Sequence, residues 1–283
     1  MGTKELYRKY LLQLQQIYPL GEATVITDRA FESIASIKRA DLIKNPFKQL
    51  SQGTVEQLNI AFTQLLQHKP IQYVLGEAWF YNLKLKVNDE VLIPRPETEE
   101  LVEMLIKSRK SFLTDPAILD IGTGSGCIAI AIKKNMPAAI VSAIDVSEGA
   151  LKLAEQNARL HNTRINFMHV DFLEESSWDQ LPQYHLIISN PPYIPVKEKK
   201  KLARNVLDYE PHLALFVPDK DPLLFYDKIA AFGRSHLNSN GRIYLEVHED
   251  LAKEAKALFY KDYSYAEIKK DMFGRERMLI ISI

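Results

Sequence analysis

From about residue 115 to the last residue, strand-like and helix-like segments alternate, and this alternation constrains the fold more than any other feature of the chain. Apolar, β-branched runs stand at 117–121 (AILDI), 139–145 (AIVSAID), 165–170 (INFMHV), 185–189 (HLIIS), 242–247 (RIYLEV), 265–268 (YAEI) and 277–282 (RMLIIS). Stretches long enough for a helical crossover separate the first four, and parallel strands require such a crossover whereas antiparallel ones do not. The spacing therefore predicts an α/β fold with a mostly parallel, doubly wound seven-stranded sheet. The last two runs are too close for a crossover, so they are expected to form an antiparallel edge pair.

The N-terminal part has a different pattern. Leu6, Tyr10, Leu14 and Ile17, then Phe31, Ile34 and Ile37, then Val55, Leu58, Phe62, Leu65 and Leu66 fall at helical spacing. Breaks are expected at Pro19-Leu20-Gly21, Asn45-Pro46 and Ser51-Gln52-Gly53, with Thr54 as a cap for the following helix. Between residues 78 and 93 the pattern becomes two-residue alternation, Leu83, Leu85 and Val87 against Asn82, Lys84 and Lys86, with a turn expected at Asn88-Asp89. The chain is thus divided into a small helical domain (1–75), a β-hairpin linker (76–95) and an α/β domain (96–283).

Composition removes several classes of function. Lys plus Arg and Asp plus Glu both total 36, so no net field draws the chain to nucleic acid or to an anionic membrane. One cysteine, Cys127, makes neither an internal disulfide nor a cysteine-based zinc cluster, and a reducing, cytoplasmic setting fits it. The first 20 residues interleave charges and glutamines with apolar residues, unlike a signal peptide. No run approaches 18 consecutive apolar residues, so no membrane association is expected. His212 and His248 have no zinc-ligand partners at standard spacing, and no metal is expected.

The first strand runs into Asp120-Ile121-Gly122-Thr123-Gly124-Ser125-Gly126, followed by a helical pattern from Cys127. Glycines there allow a tight turn and a close backbone approach to a ligand. The third glycine comes one position too early for the nicotinamide dinucleotide pattern, and no Gly-Lys-Ser/Thr of a phosphate-binding loop follows. The D-x-G-x-G-x-G pattern instead resembles the first motif of class I S-adenosylmethionine-dependent methyltransferases. Asp145 ends the second strand about 20 residues on, where a carboxylate takes both ribose hydroxyls. Asp171 and Phe172, after the third strand, offer a carboxylate for an adenine amino group and an aromatic face for its ring. Cys127 opens a helix, a position that can activate a thiol, but packing against the sheet explains it better.

Ser189-Asn190-Pro191-Pro192-Tyr193 ends the fourth strand. Two prolines fix φ twice and restrict the residues before them, so the loop is stiff. Stiffness suits the alignment of a weak nucleophile, such as the delocalised nitrogen of an amide or arylamine, with a methyl donor. In this reading the Asn190 side-chain oxygen and the Pro191 carbonyl accept the two N–H bonds of a planar NH₂ group, Tyr193 covers that group, and the surplus proton leaves to water. Asn190, Pro191, Pro192 and Tyr193 are accordingly the catalytic and substrate-binding candidates. The motif alone does not say whether the NH₂ belongs to adenine, guanine or glutamine.

Further segments narrow the choice: KPIQYVLG at 69–76, VLIPRPETE at 91–99, DIGTGSG at 120–126, ISNPPYI at 188–194 and DYEP at 208–211. In this order they resemble the HemK/PrmC family of protein-(glutamine-N5) methyltransferases, over about residues 65–283. The resemblance implies a class I methyltransferase domain, S-adenosylmethionine as methyl donor, and the Gly-Gly-Gln motif of peptide chain release factors as substrate. It implies that Gly122, Thr123, Gly124, Ser125, Gly126, Asp145, Phe172 and Asn190 contact the cofactor and that residues 190–193 hold the glutamine. Asp171 is added from its position alone. Arg95, Glu97 and Thr98 are expected near the cofactor, and the helical domain is expected to dock the release factor. Trp79-Phe80 departs from the Glu-Phe often found there in the family. The basic run Lys197, Lys199, Lys200, Lys201 and Arg204 fits either a docking surface or a solvated flap. A nucleic-acid adenine or guanine methyltransferase and a non-catalytic cofactor-binding protein are the rival readings. Zero net charge and the lack of a basic N-terminal arm argue against the first, and the second does not account for an intact Asn-Pro-Pro-Tyr loop. Nothing in the sequence demands more than a monomer.

Overall fold

A computed structural model describes residues 2–108 and 115–283. It resolves into two compact units, Met1–Glu77 with Ala203–Tyr209, and Ala78–Leu202 with Glu210–Ile283. The segment 76–95 expected as a linker therefore lies, from Ala78 onward, within the second unit.

The first unit contains α1 (Thr3–Leu14), α2 (Leu20–Ala35), α3 (Arg39–Lys44), α4 (Gln52–Leu66) and α5 (Ile71–Leu75). Their apolar stripes meet in one core, in which the Tyr10 and Phe62 rings stack 3.9 Å apart and Phe31 meets both edge-on. The cap of α4 is a correction to the sequence reading. Ser51, not Thr54, holds the N-cap position, and its hydroxyl accepts the Thr54 N–H at 3.2 Å. A serine three residues before a first-turn N–H is the better geometry, because a capping side chain serves donors inside the helix and not its own. Within this unit the Tyr209 hydroxyl donates to the Gln67 carbonyl at 2.8 Å, which ties the 203–209 segment to the end of α4.

A hairpin follows, β1 (Glu77–Phe80) and β2 (Leu83–Lys86), in the second unit from Ala78 onward. Its turn lies at Tyr81-Asn82, with φ of 49° and 61°, and not at Asn88-Asp89. Two-residue hairpin turns need positive φ at both central positions, which matches strand twist, and asparagine accepts that conformation readily. Asn88 turns the loop after β2 instead, its side chain accepting the Glu90 N–H. Phe80 is buried, while Trp79 is exposed.

The sheet and its covering helices follow as α6 (Pro96–Ser108), β3 (Ala117–Ile121), α7 (Cys127–Asn135), β4 (Ile140–Asp145), α8 (Glu148–Leu160), β5 (Asn166–His169) and β6 (Tyr184–Ser189). A short parallel pair, β7 (Ile194–Pro195) and β8 (Phe216–Val217), brackets α9 (Arg204–Leu207) in sequence. Then come α10 (Leu224–His236), β9 (Leu237–Glu246), α11 (Ala252–Phe259), β10 (Tyr265–Lys270) and β11 (Glu276–Ser282). The seven-stranded sheet has the order β10-β11-β9-β6-β3-β4-β5. Pairings from β9 through β5 are parallel, whereas β11 is antiparallel to both β9 and β10, as the short connection requires.

Alternate residues of each strand feed two cores. Ile118, Leu186 and Ile188 pack on one face with Leu101, Val102 and Ile128, while Leu119, Ile187 and Ile243 pack on the other with Ile229, Phe232 and Phe259. Both faces being covered, the central strands are apolar throughout. The connections reverse direction at β3, from β4 and β5 on one side to β6 on the other. The carboxyl ends of strands flanking such a reversal are where open α/β sheets bind ligands.

Candidate active site

A cavity of about 330 Å³ opens at this point, and the glycine turn after β3 forms one wall. Gly122 and Gly124 line it with φ of 72° and 55°, and a Cβ built on either meets nothing within 4 Å. The backbone there is bare toward the cavity, a cradle that side chains would fill. Gly122 and Thr123 N–H groups donate to the Ile144 carbonyl at 2.9 and 3.0 Å, folding the turn across the end of β4. Asp145 fixes the same turn: its two carboxylate oxygens accept from Gly124 N–H at 2.8 Å and Ser147 N–H at 2.9 Å. Burial raises the Asp145 pKa, against those backbone donors.

Not every residue of the glycine motif reaches the cavity wall. Gly126, at φ 79°, is a packing glycine, because a Cβ there would sit 3.1 Å from Ala154 Cβ and 3.1 Å from Ile130 Cδ1. Thr123 and Ser125 are buried behind the turn, Thr123 donating to Asp120 Oδ2 at 2.7 Å. Burial pushes the Asp120 carboxyl up to about 7. Burial, with Asp120 nearby, likewise pushes the Cys127 thiol up to about 12, which removes any thiolate chemistry there.

Asp171 and Phe172 line the cavity after β5. Asp171 is exposed, with Oδ1 accepting Leu173 N–H at 3.0 Å. Phe172 serves two surroundings: it borders the cavity and also packs against Trp178 and Phe232, with centroids 5.5 and 5.4 Å away. Asn190, Pro191 and Pro192, from the end of β6, form the facing wall. One side chain carries the loop's start: the Ser189 hydroxyl donates to the Ile121 carbonyl at 2.7 Å, joining β6 to β3 just below both loops.

Behind the Asn190 loop lies a buried polar chain that the sequence reading did not find. Asn190 Nδ2 donates to Thr98 Oγ1 at 3.1 Å, and Thr98 Oγ1 donates to Glu246 Oε2 at 2.6 Å. The other oxygen of Glu246 accepts the Tyr193 hydroxyl at 3.0 Å. Glu246 is 2% exposed; burial raises its pKa, opposed by the Thr98 and Tyr193 hydrogen bonds and by the Arg277 charge. Tyr193 therefore stands behind the wall, its ring edge-on to His248 and its hydroxyl engaged, and burial beside Glu246 holds its pKa well above the ordinary value. A sequence signal existed: RIYLEV places an acid directly after the apolar run Ile243-Tyr244-Leu245 of a buried strand, where only a partnered carboxylate is tolerated.

Of the other candidates, Arg95 pairs with Glu210, and neither it nor Glu97 lines the cavity. The basic run divides between the units, Lys197–Lys201 in the second and Arg204 in the first. Lys199 lies 5.8 Å from the Phe216 ring centre, Lys201 pairs with Glu198 and Arg204 with Asp208. Among the described residues no group of three or more His, Cys, Asp or Glu side chains is placed to hold a metal ion, and no helix is long and apolar enough to cross a membrane.

The sheet order, the glycine turn with its acid on the next strand, and the Asn-Pro-Pro-Tyr loop define a class I S-adenosylmethionine-dependent methyltransferase fold. The Methyltransferase small domain family model matches residues 97–210. A methyltransferase structure from Pyrococcus furiosus, 20% identical, covers 78% of this chain and 98% of its own with a TM-score of 0.52, which speaks to the fold alone. A release factor glutamine methyltransferase of Flavobacterium psychrophilum is 46% identical over 285 residues, spanning 100% of this chain and 99% of that protein. Another, from Bacteroides thetaiotaomicron, is 38% identical over 267 residues, spanning 94% and 95%. The chain belongs to the release factor glutamine methyltransferase family.

Proposed function

We propose that this chain transfers a methyl group from S-adenosylmethionine to the side-chain amide nitrogen of the glutamine in the Gly-Gly-Gln motif of a peptide chain release factor. The observation that carries this reading is that one cavity joins the bare glycine turn to the Asn190-Pro191-Pro192 wall. The cradle at Gly122 and Gly124, the Asp145 carboxylate and the Asp171–Phe172 pair fit an adenosine: backbone to approach it closely, acids for hydroxyls and an amino group, and an aromatic edge for a base. Bound there, S-adenosylmethionine supplies an electrophilic methyl on a positively charged sulfur.

The chain's own residues then have to hold an amide nitrogen in line. Asn190 Oδ1 and the Pro191 carbonyl accept the two N–H bonds of the substrate amide, which orients its lone pair and offsets the positive charge that grows on nitrogen. As the nitrogen acquires its fourth bond, one of those N–H protons becomes acidic and passes to water. No nucleophilic side chain is required, because positioning and electrostatics supply the rate. Glutamine is ubiquitous, so selection among proteins has to come from contacts away from the reacting atom. We assign that docking to the helical unit, and the reaction to a cytoplasmic enzyme acting as a single copy, without metal and without stable nucleic-acid binding.

The test is to incubate the protein with unmodified release factor and S-adenosylmethionine and to analyse the Gly-Gly-Gln peptide by tandem mass spectrometry. One added methyl on the glutamine amide, absent with Asn190→Ala, is expected. No transfer to release factor in a preparation that binds S-adenosylhomocysteine, together with transfer to RNA or DNA, would overturn the substrate assignment.

A further inference from the structure

We infer that Glu246 and Thr98 are positioning residues that set which way round the Asn190 amide is held, presenting its oxygen and not its NH₂ group to the substrate nitrogen. This rests on the reading in which Asn190 accepts a hydrogen bond from the substrate amide.

The stiffness of the Asn-Pro-Pro-Tyr loop does not settle the point. Two prolines restrain the backbone, but the terminal torsion of an asparagine is broad and two-fold, and its oxygen and nitrogen are nearly isosteric. Held with NH₂ toward the cavity, Asn190 would face the NH₂ of the substrate donor to donor, and the in-line geometry would be lost. The direction has to be imposed by a neighbour.

The buried chain imposes it by proton counting. An ionised carboxylate only accepts, so Glu246 takes the single Thr98 hydroxyl proton at 2.6 Å and the Tyr193 hydroxyl proton at 3.0 Å. With its proton committed, Thr98 Oγ1 can only accept from Asn190, and only the Nδ2 side of that amide donates, as the 3.1 Å contact has it. Oδ1 is left for the cavity. One carboxylate thereby steers both ends of the loop, Asn190 through Thr98 and Tyr193 directly. Arg277, whose guanidinium lies 6.0 Å from the centre of the Tyr193 ring, supplies the nearby positive charge that favours the ionised form. The partners come from far apart in sequence, Thr98 from α6 and Glu246 from the end of β9. Two of the signature segments, IPRPETE and SNPPYI, thus meet at a residue belonging to neither.

A pair of substitutions at Thr98 separates steering from packing. Thr98→Val keeps the shape and removes the hydroxyl; Thr98→Ser keeps the hydroxyl and removes the methyl. If the hydroxyl steers the amide, Thr98→Val lowers kcat by about 10- to 100-fold, the scale of a misplaced reacting group, and Thr98→Ser retains kcat within a few-fold. Both should bind S-adenosylhomocysteine as the unmodified protein does. A purely structural role gives the reverse order, with Thr98→Ser the worse because it leaves a void. Glu246→Leu, measured for S-adenosylhomocysteine affinity as a check on folding, should lower kcat as Thr98→Val does.

Wild-type kcat in Thr98→Val, or in a folded Glu246→Leu protein, overturns the inference while an inactive Asn190→Ala protein leaves the proposed function standing. Full activity in Asn190→Ala removes the catalytic role of Asn190, and this inference with it, while the methylated release factor leaves the proposed function standing.

Discussion

Arg95 and Glu210 are 115 residues apart in sequence, yet Arg95 Nη2 lies 2.6 Å from Glu210 Oε1. The second oxygen of Glu210 accepts the Ile93 N–H at 3.3 Å, so one carboxylate clamps the segment that leads into α6. The Glu210 side chain is 2% exposed and that of Arg95 33%. Removing the arginine strands a buried charge, which costs ~3–5 kcal/mol for a fully buried pair; solvent access to Arg95 lowers the expectation to ~2–3 kcal/mol. Arg95→Ala should lose that much in urea denaturation, and Glu210→Gln, which keeps an acceptor and leaves no buried charge, should lose less.

Asp120 gives the fold a pH dependence opposite to that of most carboxylates. Its pKa is pushed up to about 7 by burial, so between the ordinary aspartate range and about pH 7 the folded protein holds a proton that the unfolded chain has released. Stability from this group is complete below that window and falls as pH rises through it, by up to ~1.4 kcal/mol per pH unit. In Asp120→Asn that slope should vanish. Denaturation from pH 4.5 to 8 should show the variant gaining on the unmodified protein up to about pH 7 and running parallel above it; a constant difference throughout would contradict the buried, protonated carboxyl.

Gly124 and Gly126 should fail in different assays. Both have positive φ, where a Cβ costs about 1–2 kcal/mol. At Gly126 the added methyl also collides with Ala154 and Ile130, so Gly126→Ala should lower the melting midpoint markedly. At Gly124 it points into open space on the cavity side, so Gly124→Ala should melt only slightly early but bind S-adenosylhomocysteine much more weakly. Calorimetric titration beside a melting curve separates the two.

Asn157 in α8 is fully buried and makes three bonds: Oδ1 accepts Lys86 N–H at 2.7 Å, and Nδ2 donates to the carbonyls of Lys86 and Ser125, each at 2.9 Å. It pins β2 and the glycine turn to one helix. Asn157→Ala strands three backbone groups at ~1–3 kcal/mol for each that stays dry, so a loss of roughly 2–4 kcal/mol is expected after partial rehydration. Asn157→Asp cannot donate to either carbonyl and should be at least as damaging.

The strands were legible because each is a local event: AILDI and HLIIS become buried parallel strands through their own residues and lengths. The two loops of the site were legible for the same reason, since glycine and proline write their backbone constraints directly into sequence. What escaped was long-range polar bonding. Asn157, Glu210 and Glu246 look like surface residues until partners 71, 117 and 148 positions away arrive. The hairpin turn was misplaced because Tyr81 carries no turn signature; the φ it adopts is set by the pairing of β1 with β2.

The return of Ala203–Tyr209 to the helical unit has a consequence for biosynthesis. Domains made first on the ribosome ordinarily finish folding first. Here α1 to α5 leave the exit tunnel early, but the Tyr209 hydroxyl that caps the Gln67 carbonyl emerges only after residues 78–202 have been made. The Tyr209–Gln67 bond therefore forms only after β3 to β6 have been made, and a gene fragment cut at residue 77 would encode the helical unit without its 203–209 segment.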